Sequence, residues 1–145
     1  MKKTWNLPIF FLLNIVLANY GHSQSPVRKI DLYIVPIFTS FRVNIPPKKV
    51  KKHATMKVII KESSYKLDNN EFYDLIKGLD ESNRIDTIAN VYRIVCVVHK
   101  IFGKEVLYFN RFGDFLYKEK AYKNEQIKLF VFNHLPESVK TLPSK

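Results

Sequence analysis

The sequence has little of several things, and each scarcity excludes something. It holds one cysteine, Cys96, in 145 residues. One thiol cannot build a disulfide framework, so any stability outside the cell must come from a packed core. It has four glycines, too few for a glycine-rich loop that wraps phosphate. The patterns H-E-x-x-H, C-x-x-C, G-x-S-x-G and the P-loop are all missing, so the recognised hydrolase, redox and nucleotide signatures give no lead. Acids are scarce: 13 Asp and Glu stand against 24 Lys and Arg. Arginine is scarce too, at five against 19 lysines. Arginine supplies the bidentate forks that read bases, whereas lysine is a hydrated point charge. The composition therefore argues against sequence-specific nucleic-acid recognition.

No apolar run reaches the ~20 residues that a membrane span wants. The longest begins at Leu7 and ends at Tyr20, interrupted by Asn14. Lys2 and Lys3 precede it, and the small polar stretch "GHSQSP" follows. A basic start, a short apolar stretch and small residues make the layout of a secretory signal, with cleavage expected after Ser23. Residues 24–145 are then one small domain, secreted or periplasmic, with no span of its own. The competing expectation is an uncleaved N-terminal anchor that tethers the domain.

The positive charge is unevenly placed. Residues 24–61 carry nine basic side chains and one acid, Asp31. Residues 62–145 carry 13 basic and 12 acidic ones. Its densest point is "PPKKVKKH", residues 46–53. With two prolines and no apolar period it reads as a loop. Lys48, Lys49, Lys51 and Lys52, with Arg42 and Lys57 nearby, are the candidate binding residues. An acidic protein or an envelope polyanion is the expected partner.

The remaining pattern is mixed. "IDLYIVPIFTSFRVNI" reads as an edge strand or as two strands broken at Pro36. "MKVIIKE" alternates as a half-buried strand. Phe72, Leu75, Ile76 and Leu79 fall at i, i+3, i+4 and i+7, and Asp68 with Glu71 has capping-box spacing, so a helix is predicted there. "VYRIVCVVHK" reads as a strand with Tyr92, Ile94, Cys96 and Val98 toward the core. "EVLYFNRF" and "FLYKEKAY" follow as two further strands of a meander. A last helix has Ile127, Phe130, Val131 and Leu135 on one face, Asn124 as cap and Pro136 as stop. "SVKTLPSK" reads as a loose tail. The predicted fold is α+β: an antiparallel sheet of about five strands with two helices on one face.

Catalytic and metal chemistry find few candidates. Of the four histidines, His22 lies in the signal, and His53, His99 and His134 are not spaced as metal ligands. No cofactor is expected. His99 is the one plausible general base, and an enzyme built on it is the alternative to a non-enzymatic binding module. That alternative requires His99 to face both an acid and a nucleophile in one cleft.

Overall fold

The computed structural model describes residues 26–36, 44–63 and 66–140. The expected signal segment with its cleavage point at Ser23, and the candidate Arg42, lie outside the described residues. Six strands form one antiparallel sheet: β1 (Val27–Ile34), β2 (Met56–Ile60), β3 (Tyr92–Lys100), β4 (Lys104–Asn110), β5 (Phe115–Tyr117) and β6 (Lys120–Tyr122), in the order β2-β1-β3-β4-β5-β6. The helices are α1 (Pro47–His53), α2 (Asn69–Lys77), α3 (Glu125–Asn133) and α4 (Glu137–Lys140), with a 3₁₀ turn at Glu81–Asn83.

Among the described residues there are six strands rather than five because one predicted strand is two. "FLYKEKAY" folds back on itself, so β5 and β6 pair through a two-residue turn at Lys118 and Glu119. Both turn residues have left-handed backbones, at φ 46° and 63°. Such a turn matches the twist of a hairpin, but it normally advertises itself with Asn or Gly. Here neither is present. At the β4–β5 turn the signal is of the ordinary kind: Asn110, fully buried, accepts bonds from the backbone of Phe112 and Asp114, and Gly113 adopts φ 93°.

β1 is an internal strand, not an edge. It pairs with β2 on one side and β3 on the other, and Pro36 falls just past its end. Its alternation sets the two faces of the sheet. Ile30, Leu32 and Ile34 point into the larger core. That core takes Ile94, Cys96 and Val98 from β3 and Leu107 and Phe109 from β4. α2 and α3 cover it, joined through Phe72 and Phe130, whose rings stack with centroids 4.0 Å apart. α2 begins as the spacing predicts. Asp68 accepts from the backbone of Asn70 and Glu71, and Glu71 reaches back to the Asp68 backbone at 2.8 Å. Asn124 caps α3 in the same way. The expected tail instead starts with the short helix α4, whose Val139 is buried in the same core.

The other face has a core of its own, which the pattern did not announce. Val35, Ile45, Val50, Tyr92, Val95 and Val97 are all buried there. A register shift between Tyr92 and Ile94 moves Tyr92 to this side, away from the face that simple alternation assigns it. The consequence for the basic stretch is a correction. "PPKKVKKH" is not a loop: Pro47–His53 is a helix, with Pro47 at its first position and Val50 fully buried against the sheet. Proline suits that position because its missing N–H would have no partner there anyway. The helices therefore cover both faces rather than one.

Cys96 is fully buried between Ile94 and Val98 and is unpaired. Burial, with Asp31 nearby, pushes its thiol far above the ordinary range. A thiol-reactive dye should thus label the native protein slowly, and labelling should accelerate on denaturation. Rapid native labelling would mean that the β3 register is wrong, since a one-residue slip exchanges the faces.

Candidate functional site

The smaller core covers only part of its face. Beside it, β1 presents Lys29, Asp31 and Tyr33, β2 presents Lys57, and β3 presents His99. The sheet register brings these together from positions up to 70 residues apart. Asp31 lies between Ile59 and Val97 and is 2% exposed. One of its oxygens, Oδ2, takes everything: Lys57 Nζ at 3.1 Å, His99 Nε2 at 3.1 Å and Lys29 Nζ at 3.4 Å. A carboxylate can only accept, so His99 donates through Nε2–H and keeps Nδ1 toward its surroundings. The other oxygen, Oδ1, is buried without a hydrogen-bond partner.

Burial alone would raise the Asp31 pKa. Lys57 above all, and then Lys29, outweigh that and hold the carboxyl below its ordinary value. Asp31 in turn holds the Lys57 ammonium above the usual lysine range. Lys57 also stands over the Tyr33 ring, and so does Lys51 from α1, at 5.0 and 4.5 Å from the centroid. Tyr33 thus links the helix to the Asp31 cluster, and the two make one continuous basic face.

Of the predicted binding residues, Lys48, Lys49, Lys51 and Lys52 lie on α1 and Lys57 on β2. No acid opens the helix, and its last turn is wholly basic. Among the described residues, none of those four helix lysines pairs with a carboxylate. Lys57 does pair, with Asp31, so it is an organiser of the face more than a free contact. Beside the start of α1 a groove of about 320 Å³ is floored by Pro46, Pro47, Tyr108 and Leu116. Lys48, Lys118 and the acid Glu119 stand on its rim.

His99 meets half of what an acid–base site requires. It faces an acid, but among the described residues no hydroxyl or thiol hydrogen-bonds to His99 or Asp31. Cys96 points into the opposite core. The sequence reading missed Asp31 because one isolated acid in a basic stretch carries no spacing signal. It also missed Ser63, whose hydroxyl lies 3.2 Å from His134 Nε2. His134 Nδ1 donates to the Phe130 carbonyl at 2.7 Å, leaving Nε2 to accept from Ser63 in the neutral ring. This bond ties the segment after β2 to the end of α3.

Among the described residues no helix is long and apolar enough to cross a membrane, and no group of three or more His, Cys, Asp or Glu could hold a metal ion. Compared with known protein families, with characterised proteins and with solved structures, the chain matches none.

Proposed function

We propose that the protein is an exported binding module that holds an anionic partner on α1, with no chemistry of its own. One observation carries this reading. Four lysines without carboxylate partners among the described residues are fixed on a helix that a single buried residue, Val50, pins to the sheet. A solvated loop would hold such charges at no set spacing. A pinned helix presents them as a fixed array, so less freedom is lost when a partner binds.

The groove beside the helix narrows the partner. Its floor is apolar and its rim carries two lysines against one acid, Glu119, which suits an acidic protein segment carrying an apolar side chain better than a bare polyanion. The Asp31 cluster supports the array from below by fixing Lys57 and Tyr33 against Lys51.

The test replaces Lys48, Lys49, Lys51 and Lys52 with Ser. Binding of a glutamate-rich peptide containing leucine should fall by about tenfold or more, and its salt dependence should flatten, because exposed charges are screened beyond about 8 Å at physiological ionic strength. Stability should stay within about 0.5 kcal/mol, as surface changes usually do. The control removes Lys66, Lys77, Lys120 and Lys123; Lys118 is kept because it lines the groove. If both variants lose binding equally, only net charge matters and α1 is no site. A poly-glutamate peptide without leucine should bind more weakly to the unaltered protein, and equal binding would remove the groove from the reading.

A further inference from the structure

We infer that the opposite pole of the sheet, at the β3–β4 turn, docks on an anionic lipid surface. The turn joins Lys100 to Lys104 and is closed by a bond from the Lys100 backbone to Gly103 at 3.1 Å. At its tip Phe102 is 79% exposed and Ile101 is 42% exposed. Phe102 is the most exposed large apolar side chain among the described residues. Among the described residues nothing covers it.

The base of the tip is held firmly. Lys100 bonds to Glu105 at 2.9 Å and to the Tyr73 hydroxyl at 3.0 Å, and Tyr117 donates to the other Glu105 oxygen at 3.0 Å. Basic residues gather at the same end of the sheet. Arg28, Lys29, Lys61 and His99 line a cavity of about 460 Å³ at this pole, with Lys100 and one acid, Glu62. Lys104 stands exposed on the other side of the turn. Among the described residues Arg28, Lys61 and Lys104 pair with no carboxylate. An apolar tip at the same end of the sheet as three cations that pair with no carboxylate among the described residues is the arrangement that an interface of acyl chains and phosphate headgroups complements. The Phe102 ring enters the boundary and the cations meet the headgroups.

A second, independent observation concerns connectivity. Val27 pairs with Lys100, so the chain enters β1 beside this tip. The apolar run Leu7–Tyr20 precedes this entry point by six residues of sequence. Where that run is kept as an anchor, the pole nearest to it in the chain is the one held near the membrane. α1 packs at the far end of β3, against Tyr92 and Val95, so the helix lysines lie at the opposite end of the sheet from this tip.

The test uses the full chain with a local probe, because the N-terminal run could bring any variant to a vesicle. Trp5, the single tryptophan, is changed to Phe. Tryptophan is then placed at Phe102, or as a control at Phe112, which is also exposed but lies at the other end of β4, roughly 20 Å away by strand rise. With phosphatidylcholine vesicles containing phosphatidylglycerol, the Phe102→Trp protein should shift its emission to the blue and be quenched by brominated lipid. Phe112→Trp should show neither. Changing Arg28, Lys61 and Lys104 to Ser should weaken the Phe102→Trp response roughly tenfold or more. The four α1 changes to Ser should leave it intact, which separates this inference from the proposed function. Absent quenching, equal quenching at both positions, or the same shift produced by a glutamate-rich peptide without lipid would overturn it.

Discussion

Asp31→Asn should lower the stability of the domain by about 2–3 kcal/mol at neutral pH. The amide keeps the shape but loses the charge that gathers Lys57, Lys29 and His99 on one oxygen. Removing one partner from a fully buried cluster typically costs about 3–5 kcal/mol. The value here is lower because the two lysines and the histidine are each about one-third exposed and can turn to water. The pH dependence follows from the direction of the shift. The folded carboxyl titrates below its unfolded value of about 3.9. In the acid window the unfolded chain therefore binds more protons than the folded one, and stability rises with pH. The contribution is fully present above about pH 5 and fades as pH falls through the folded value. Urea denaturation of both proteins at a series of pH values measures this. The Asn variant should be the flatter of the two below pH 5, and parallel curves would show that Asp31 is not ionised in the folded state or gains nothing from its neighbours.

Phe130→Ala should be more damaging still, at about 3–5 kcal/mol. The side chain is fully buried and stacks on Phe72 at 4.0 Å, so its loss opens the junction between α2 and α3. The His134 ring, 4.7 Å from it, loses its contact as well. Total stabilities of domains this size are about 5–15 kcal/mol, so the variant approaches the limit of folding. Phe112→Ala, at an exposed ring, should change stability by no more than about 0.5 kcal/mol. A loss below about 1 kcal/mol for Phe130→Ala, measured by urea midpoint at unchanged slope, would mean that the two helices do not meet through this pair.

The parts of the fold that were legible in the sequence are those with local cause. α2 has a stripe, a cap and a terminal glycine within a dozen residues, so nothing distant is needed to define it. α1 has one apolar residue in seven, which is no period at all; it is a helix because Val50 finds Val35, Tyr92 and Val95 beneath it. β3 reads "YRIVCVV", and the unbroken apolar run from Ile94 to Val98 is the mark of a strand buried on both faces. Treating it as alternating hid the second core and placed Tyr92 on the wrong side. The lysines of the candidate site were visible as a charge run. The cluster that steadies them was not, because Asp31, Lys57 and His99 become neighbours only through strand register.

Among the described residues β2 forms an outer edge of the sheet, with Ile59 half exposed. A bare strand edge with an apolar side chain invites a second molecule to add its own strand, the first step toward aggregates. Lys57 and Lys61 lie along that same edge, and two molecules brought edge to edge would press like charges together. Such repulsion should keep copies of the protein apart at high concentration. That protection depends on the charge being unmasked. An anionic partner that covers Lys57 without shielding Ile59 would remove the repulsion and leave the strand open, so a well-suited partner must cover the edge as well as the lysines.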